Sequence, residues 1–332
     1  MSSLFSDFCR VIGISNASRL LQQTDSYSFL NKFYIPAFYQ AIPYNNIEAF
    51  NPDSRSNFYK GWSGFCNGSN TFAEKKDDVI NLFMQKRGGV CFHRCAFSSL
   101  ALKDDGIDNY LGGAIIRKAP VTPHSLLFLS GLKGPDSLHM MELGNRIAPV
   151  FNLVDMDIDK EGQLDGSPIT VSKIVKTDQN QEPEKLEFQQ LSRKKREPDA
   201  LFRYYFDFDT RRHETLSEDT SELHIDCSES DKTPCKDFDD RFQKETIGRI
   251  WMIVGMDPSG CFVEYMNNAY RRYQKDGQLA TQKFFMNKKS MLAQTLKDFP
   301  QFEERLISRC LDAAITLDRT KSPNSSMWPK LS

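Results

Sequence analysis

The sequence predicts an α+β fold in which a helical N-terminal region is followed by antiparallel strands. Two observations carry this prediction. Apolar residues recur at helical spacing in residues 1–104. After them, short apolar stretches are separated by turn residues, a pattern typical of antiparallel strands joined by hairpins. Helices followed by strands favour a helical domain packed against a sheet or barrel.

The helical region contains four predicted helices, at 4–14, 29–42, 73–86 and 91–104. Pro43 ends the second, because proline cannot continue a helix. Gly88 and Gly89 end the third, since glycine readily adopts the backbone conformation that closes a helix. The fourth begins at Cys91 and stops before Gly106.

Strands are predicted for the apolar stretches at 109–119, 124–131, 137–144, 169–175, 185–191, 201–209 and 249–256. Residues 263–315 are predicted to be mostly helical, because apolar residues there recur at helical spacing. The intervening segment 214–240 is acidic and poor in large apolar side chains, which indicates a surface insertion.

Composition limits the possible partners and location. The 43 basic and 44 acidic residues give a net charge of −1, so nothing indicates a nucleic-acid or membrane partner. We expect no secretory signal and no transmembrane segment, because no apolar run has the required length. The eight cysteines are scattered, which favours reduced thiols and a cytoplasmic location.

The turn before Cys91 has features of a nucleophile site. A helix start carries partial positive charge, which favours a thiolate there. Gly88 and Gly89 allow close approach of a ligand to backbone N–H donors, as an oxyanion site requires. On this motif alone, a buried structural cysteine is the alternative interpretation.

A nucleophilic cysteine needs a base, usually histidine, and a third group that orients the imidazole. The five histidines are His93, His124, His139, His213 and His224. His124 begins a predicted strand, and Glu142 lies on the next one. Neighbouring strands hold two such side chains rigidly side by side, so these two are the candidate partners of Cys91.

Four blocks in the same order resemble motifs of the arylamine N-acetyltransferase family. Residues 8–14 (FCRVIGI) resemble its tyrosine-x-x-arginine-isoleucine-glycine helix. Residues 42–47 (IPYNNI) resemble its isoleucine-proline-phenylalanine-glutamate-asparagine-leucine signature, and residues 86–92 (KRGGVCF) reproduce arginine-glycine-glycine-x-cysteine. Residues 101–117, followed by 121–129, resemble a strand pair that ends in threonine-histidine. The resemblance covers residues 5–150, and beyond it only the strand at 201–209 is similar.

This resemblance implies a cysteine–histidine–aspartate triad and ping-pong transfer from acetyl-CoA, with no metal. Cys91 would be the nucleophile and His124 the base. Residues 141–146 (MELGNR) stand where the family has valine-aspartate-valine-glycine-phenylalanine-glycine, so Glu142 would replace the aspartate. Gly88 and Gly89 would contact the acyl-CoA co-substrate. The partners would be an acyl-CoA donor and a small-molecule amine acceptor.

The resemblance also implies a domain layout around a cysteine-protease-like catalytic core. Residues 1–90 would form a helical domain that leads to the nucleophile. Residues 91–209 would form a β-rich barrel or sheet domain, and residues 210–332 a divergent α/β lid with the acidic insertion.

Several alternatives stay open. The same triad chemistry serves cysteine amide hydrolases and amide synthases, and a degenerate site would leave a binding protein. The alternative interpretation of Glu142 is a solvent-facing strand residue. His93 and Arg94 either add positive charge near Cys91 or lie on a solvated helix face, and Cys95 is predicted to be a small core residue.

Two further clusters of binding residue types lie outside the motifs. The possible zinc ligands His213, His224, Cys227 and Cys235 fit no compact spacing, so no metal site is predicted. The basic run 193–196 is interpreted as a solvated loop, with CoA phosphates or a nuclear address as alternatives.

Overall fold

The structure is a computed structural model. It describes residues 3–54, 76–116, 122–144, 153–155, 163–165, 170–176, 185–192, 202–207 and 251–321. The candidate zinc ligands, the basic run 193–196 and the acidic segment 214–240 lie outside the described residues.

The N-terminal region is helical, as predicted. Its elements are α1 (Leu4–Val11), α2 (Ala17–Gln23), α3 (Ser26–Phe29), a π-helical turn (Leu30–Tyr34) and α4 (Ile35–Ala41). Side chains cap two of the helices: the Ser3 hydroxyl accepts a hydrogen bond from the N–H of Ser6, and the Asp25 carboxylate accepts one from the N–H of Ser28. Such caps satisfy N–H groups that have no partner within the helix.

A short strand and three helices follow: β1 (Tyr44–Asn45), α5 (Ile47–Phe50), α6 (Lys76–Met84) and α7 (Cys91–Asp104). Eleven of the 14 residues of α7 are buried, so this helix runs through the core. Phe97 packs between Phe8 and Phe83, with ring centroids 4.4 and 4.5 Å away. The chain from Cys91 onward is therefore held from several sides.

An antiparallel sheet of eight strands lies against α7, which packs on β2 and β3. The strands are β2 (Asn109–Ile116), β3 (Thr122–Ser130), β4 (Leu138–Met141), β5 (Val154–Asp155), β6 (Gln163–Asp165), β7 (Thr170–Lys176), β8 (Lys185–Ser192) and β9 (Phe202–Asp207). Their order is β5-β4-β3-β2-β9-β8-β7-β6. The strands predicted between 109 and 209 are confirmed.

The C-terminal part contains a second antiparallel sheet, ordered β1-β10-β11-β12-β13, and two helices. The elements are β10 (Met252–Met256), β11 (Phe262–Met266), β12 (Ala269–Tyr273), β13 (Leu279–Phe284), α8 (Lys288–Asp298) and α9 (Glu304–Lys321). Strand β1 ties this sheet to the helical region, because it lies between α4 and α5 in the chain.

The prediction of helix from residue 263 is wrong up to Asn287, where α8 is capped. Asn267 and Asn268 form a two-residue hairpin loop, and Asn267 has a φ of 53°, which asparagine tolerates better than most residues. The hairpin brings Tyr265 opposite Tyr270, and both rings pack with Phe285 inside the sheet. The packing of these aromatic side chains stabilises the strands, although the apolar residues of this segment also recur at helical spacing.

No helix within the described ranges is long and apolar enough to cross a membrane. The mixture of helices and antiparallel sheets confirms the α+β class. The predicted domain boundaries at residues 90 and 209 stay predictions.

Candidate active site

Cys91 is the first residue of α7 and is 2% exposed. The residue before it, Val90, occupies the N-cap position and makes no side-chain hydrogen bond to the helix. Valine cannot accept such a bond, so no N-cap side chain neutralises the partial positive charge of the helix start. The sulfur of Cys91 therefore lies where a negative charge is favoured.

The two glycines before Cys91 are required by the packing of the chain itself. Gly88 has a φ of +72°, and a Cβ there would lie 2.1 Å from the carbonyl oxygen of Pro43. A Cβ at Gly89 would lie 2.8 Å from the Cβ of His93. The sequence predicted that a ligand would come close to the backbone at these glycines. On the side where a Cβ would stand, Pro43 and His93 of the protein itself occupy that space.

Strand β1 holds this turn in place. The side-chain amide of Asn45 donates to the carbonyl of Arg87 at 2.6 Å, and its backbone N–H donates to the carbonyl of Gly89 at 3.2 Å. The neighbouring Asn46 accepts a hydrogen bond from the N–H of Met252 at 2.9 Å. The turn before Cys91 is thus fixed to the C-terminal sheet through β1.

An ion pair that the sequence analysis missed also holds the turn. The Arg87 guanidinium donates to Glu48 of α5, a buried carboxylate that also accepts hydrogen bonds from Ser54 and Asn51. Both charged residues lie in or beside motifs recognised in the sequence, and this position was the signal that could have pointed to them. Their pairing depends on how α5 packs against the turn, and no local pattern reports that.

His124 lies in β3, opposite Ala114 of β2. The next residue, Ser125, is the point where α7 touches this strand: the Cys95 thiol donates to the Ser125 carbonyl at 3.3 Å. Position 124 is therefore beside the first turns of α7, the helix that begins with Cys91.

Glu142 follows β4 directly and is 1% exposed, so the alternative of a solvent-facing residue is wrong. Its carboxylate accepts a hydrogen bond from the N–H of Gly144 at 2.7 Å. Leu127 pairs with Met141, so the register continued by one residue sets Glu142 opposite Leu126 and diagonal to position 124. Diagonal positions on antiparallel neighbours lie within reach of long side chains.

The negative charge of Glu142 acts on residues of α7. Burial, followed by the negative charge of Glu142, raises the pKa of the Cys95 thiol well above its usual value. Cys95 is fully buried, which confirms its prediction as a core residue. The methionines before Glu142, Met140 and Met141, are also fully buried.

His93 and Arg94 are buried as well, so the alternative of a solvated helix face is wrong for both. The Arg94 guanidinium lies 4.8 Å from the ring centre of Phe38 and 5.0 Å from that of Tyr39, and it donates to the carbonyl of Ile42 at 3.0 Å. Burial lowers the pKa of Arg94, and the nearby tyrosines, Cys95 and Glu142 oppose this shift. A positive charge is therefore buried one helical turn from Cys91.

The part of the chain that the structure describes holds no group of three or more side chains arranged to bind a metal ion. Its cysteines, Cys9, Cys91, Cys95, Cys261 and Cys310, are all free thiols.

No family model matches the sequence, and no curated protein matches it. Solved structures do match. The arylamine N-acetyltransferase from Salmonella typhimurium superposes with a TM-score of 0.63 at 15% identity, over 94% of this chain and 99% of that one. An arylamine N-acetyltransferase from Bacillus cereus, described as having a unique Cys-His-Glu catalytic triad, has a TM-score of 0.58 at 14% identity, over 90% and 98%. The Mycobacterium marinum enzyme in complex with CoA has a TM-score of 0.55 at 12% identity, over 87% and 93%. The chain has the arylamine N-acetyltransferase fold, as a divergent example of it.

Proposed function

We propose that this chain is an acyl-CoA-dependent N-acyltransferase that carries the acyl group on Cys91. One observation carries the proposal: in an arylamine N-acetyltransferase fold, Cys91 is the first residue of a buried helix, directly after an N-cap residue, Val90, whose side chain makes no capping hydrogen bond. The partial positive charge of a helix start favours both the thiolate and the oxyanion that forms when the thiolate attacks a thioester.

In the first half-reaction, His124 takes the proton of the Cys91 thiol. The thiolate attacks the carbonyl carbon of the acyl-CoA, and backbone N–H groups between Gly88 and the start of α7 bind the oxyanion. The carbon–sulfur bond to CoA then breaks, and the imidazolium returns its proton to the CoA thiolate. The products are free CoA and a Cys91 thioester.

In the second half-reaction, the amine acceptor attacks this thioester. His124 takes a proton from the attacking nitrogen, the bond to the Cys91 sulfur breaks, and an amide leaves. The thiolate is restored without any metal or redox step. The two half-reactions share one site, which is the ping-pong order.

Glu142 orients the imidazole of His124 in this proposal. Its burial beside α7 and its register next to position 124 support this role. A glutamate in place of aspartate has a counterpart among solved structures, since the Bacillus cereus enzyme is described as having a Cys-His-Glu triad. The longer side chain therefore fits the fold.

CoA as the acyl carrier is supported by the Mycobacterium marinum structure, which is in complex with CoA. The amine acceptor is proposed as a small molecule, an arylamine by the names of the solved relatives. A cytoplasmic location and a cysteine-protease-like core belong to the same proposal.

The test is the intact mass of the purified chain after brief incubation with acetyl-CoA. We expect a gain of one acetyl group, which Cys91→Ala abolishes and an added arylamine removes. Cys261→Ala is the matched control, because Cys261 is a partly exposed free thiol in the loop between β10 and β11, and it should retain the gain.

The other outcomes discriminate the alternatives. A gain that the arylamine does not remove would keep the transferase but require another acceptor. Acylation of Cys91 by an amide substrate, and not by acyl-CoA, would favour an amide hydrolase or synthase on the same fold. An unchanged mass with acetyl-CoA and with longer acyl-CoAs would contradict the proposal. In that case, a Cys91 thiol of ordinary reactivity would favour a binding protein with a degenerate site.

A further inference from the structure

A buried cation, Arg94, lies in the interior with Glu142, the buried carboxylate of the proposed triad. Arg94 of α7 and Glu142 after β4 are each 1% exposed. No ion pair within 4 Å joins them in the described part of the chain, yet the negative charge of Glu142 favours the charged form of Arg94. In a buried environment two charges influence each other over longer distances than in water.

Tyr39 of α4 connects the two residues. Its hydroxyl donates a hydrogen bond to the backbone carbonyl of Glu142. Its ring lies under the Arg94 guanidinium, at 5.0 Å from the ring centre. Arg94 therefore packs on the side chain that holds the backbone of Glu142.

Aromatic rings surround the guanidinium itself. The ring centres of Phe38 and Tyr44 lie 4.8 and 5.9 Å from it, and its Nη2 donates to the carbonyl of Ile42. Arginine is suited to such a place, because its planar guanidinium stacks on aromatic rings and is weakly hydrated. Arg94 is therefore held among aromatic side chains that include Tyr39.

The cavity beside Arg94 does not offer a site for a larger ligand. It lies among Tyr39, Ile42, Tyr44, Arg94, Val254, Gly255, Met256 and Phe262, and its volume of about 10 Å³ admits one water molecule. The residues around Arg94 therefore contact other side chains of the protein and leave no room for a larger ligand.

We propose that Arg94 and Tyr39 are positioning residues that hold Glu142 in place beside His124. The proposal rests on the proposed function. Tyr39 fixes the backbone of Glu142, and Arg94 packs on Tyr39. A correctly placed Glu142 stabilises the imidazolium that forms when Cys91 loses its proton.

Two titratable groups of α7, Arg94 and Cys95, lie within the influence of the Glu142 charge and are part of the expectation. Loss of Arg94 removes the packing on Tyr39, so the backbone of Glu142 is less firmly held and the imidazolium is less well supported. The effect on Cys91 should be largest in acid, where the fraction of thiolate depends most on that support.

The experiment follows the alkylation of Cys91 by iodoacetamide from pH 5 to pH 9 in the full chain, with the site identified by peptide mass. Arg94→Met should slow alkylation about tenfold at pH 6, the factor for a one-unit shift of the midpoint, and much less at pH 8. Arg94→Lys should restore most of the reactivity, because it keeps the charge. The control Arg271→Met removes an arginine from the C-terminal sheet and should match the unmodified chain.

The double variant decides how Arg94 acts. In a Glu142→Gln background, Arg94→Met should cause no further loss, because both changes remove the same support of the imidazolium. An equal loss in both backgrounds would mean that Arg94 acts directly on the thiolate and would overturn the proposal. An unchanged pH profile with lowered thermal stability would overturn it in favour of a purely structural role.

Failure of the proposal and of the proposed function are distinguishable. If the unmodified chain shows only ordinary thiol reactivity in acid, the proposed triad itself is wrong. If Arg94→Met does not fold, Tyr39→Phe decides. It should slow alkylation about threefold at pH 6 only when Glu142 is present, by analogy with the loss of one buried hydrogen bond. A profile equal to that of the unmodified chain would overturn the proposal.

Discussion

Helix α7 and the C-terminal sheet β10–β13 use the same kinds of charged side chain in opposite environments. Arg94 in α7 is 1% exposed and lies among aromatic rings. In the sheet, the side chain of Arg271 is 38% exposed and forms an ordinary ion pair with Glu264. A partly exposed pair of this kind contributes little to stability, whereas a buried charge is costly unless its surroundings compensate it.

The difference indicates that the costly burial of polar and charged side chains is concentrated around α7, the helix that begins at the candidate site. Two serines of α7 are buried and hydrogen-bonded: Ser99 donates to Asn109 at 2.6 Å, and Ser98 receives a hydrogen bond from Tyr34 at 3.4 Å. The outer strand β13 is exposed along its whole length. Substitutions around α7 should therefore cost much more than matched substitutions on the sheet.

The largest effect should come from Gly88→Ala, in the turn that leads into α7. The new Cβ would lie 2.1 Å from the Pro43 carbonyl oxygen, and the backbone there has a positive φ. We expect a loss of about 3 kcal/mol or more in the free energy of unfolding. Chemical denaturation measures it, provided that the variant is recovered folded.

Gly106→Ala is the matched control, because Gly106 has a similar φ of +77° but no atom lies within 4 Å of the position that its new Cβ would occupy. It should cost about 1 kcal/mol, the strain of the backbone alone. Equal losses for the two variants would mean that Pro43 yields and that the turn is less tightly held than its contacts indicate.

The second effect concerns the aromatic packing beneath α7. Phe97 stacks on Phe83 and meets Phe8 edge-on, so Phe97→Ala should cost about 4 kcal/mol through lost burial and an unfilled cavity. On the sheet, Phe284 is 60% exposed, and Phe284→Ala should change stability by less than about 0.5 kcal/mol. Denaturant midpoints for the two variants provide the measurement, and similar losses would contradict the contrast.

Much of the region around α7 was predictable from sequence, because its signals are local. Helical spacing, the break at Pro43 and the glycines before Cys91 define the helices and the turn. The motif order then pointed to Glu142, and the structure places this residue in the interior. The strand pair that carries it was visible from its turn residues.

The parts that sequence did not reveal depend on distant contacts. The Arg87–Glu48 pair forms only when α5 packs against the turn. The burial of Arg94 was undecided, because a helix that is buried on all sides has no polar face to reveal it. In the sheet, helical spacing was misleading over β11 and β12, although the Asn267–Asn268 dipeptide was a hairpin signal.

A third, smaller effect belongs to the inner face of the sheet. The Tyr265 hydroxyl donates to the buried carboxylate of Asp298 at 2.6 Å, so Tyr265→Phe removes a hydrogen bond to a charged group. We expect a loss of about 2 kcal/mol in unfolding free energy. Tyr273→Phe is the control, because the Tyr273 hydroxyl makes no hydrogen bond within the described residues, and it should cost under about 0.5 kcal/mol. Equal losses of unfolding free energy for the two variants would show that Tyr265 stabilises the sheet by the packing of its ring and not by its hydrogen bond to Asp298.

The smallest effect should come from Arg272→Gln, in β12 beside the loop between β10 and β11, and it should depend on pH. Burial alone would raise the pKa of Asp257, but hydrogen bonds from Ser259, Cys261 and Arg272, with the charge of Arg272, lower it overall. A carboxylate whose pKa is lowered on folding stabilises the protein above its unfolded value of about 4 and loses this contribution as the pH falls further. Arg272→Gln should therefore cost about 1 kcal/mol at pH 7, the upper limit for a partly exposed pair, and progressively less below pH 4.

Lys275→Gln is the control, because it removes a cation that makes no ion pair in the described chain. Its effect on the denaturation midpoint should be near zero at pH 7 and at pH 3. A loss for Arg272→Gln that stays constant from pH 7 to pH 3 would mean that Arg272 stabilises the loop by packing, as the buried Arg94 of α7 does. The contrast between α7 and the sheet would then not extend to the Arg272–Asp257 ion pair.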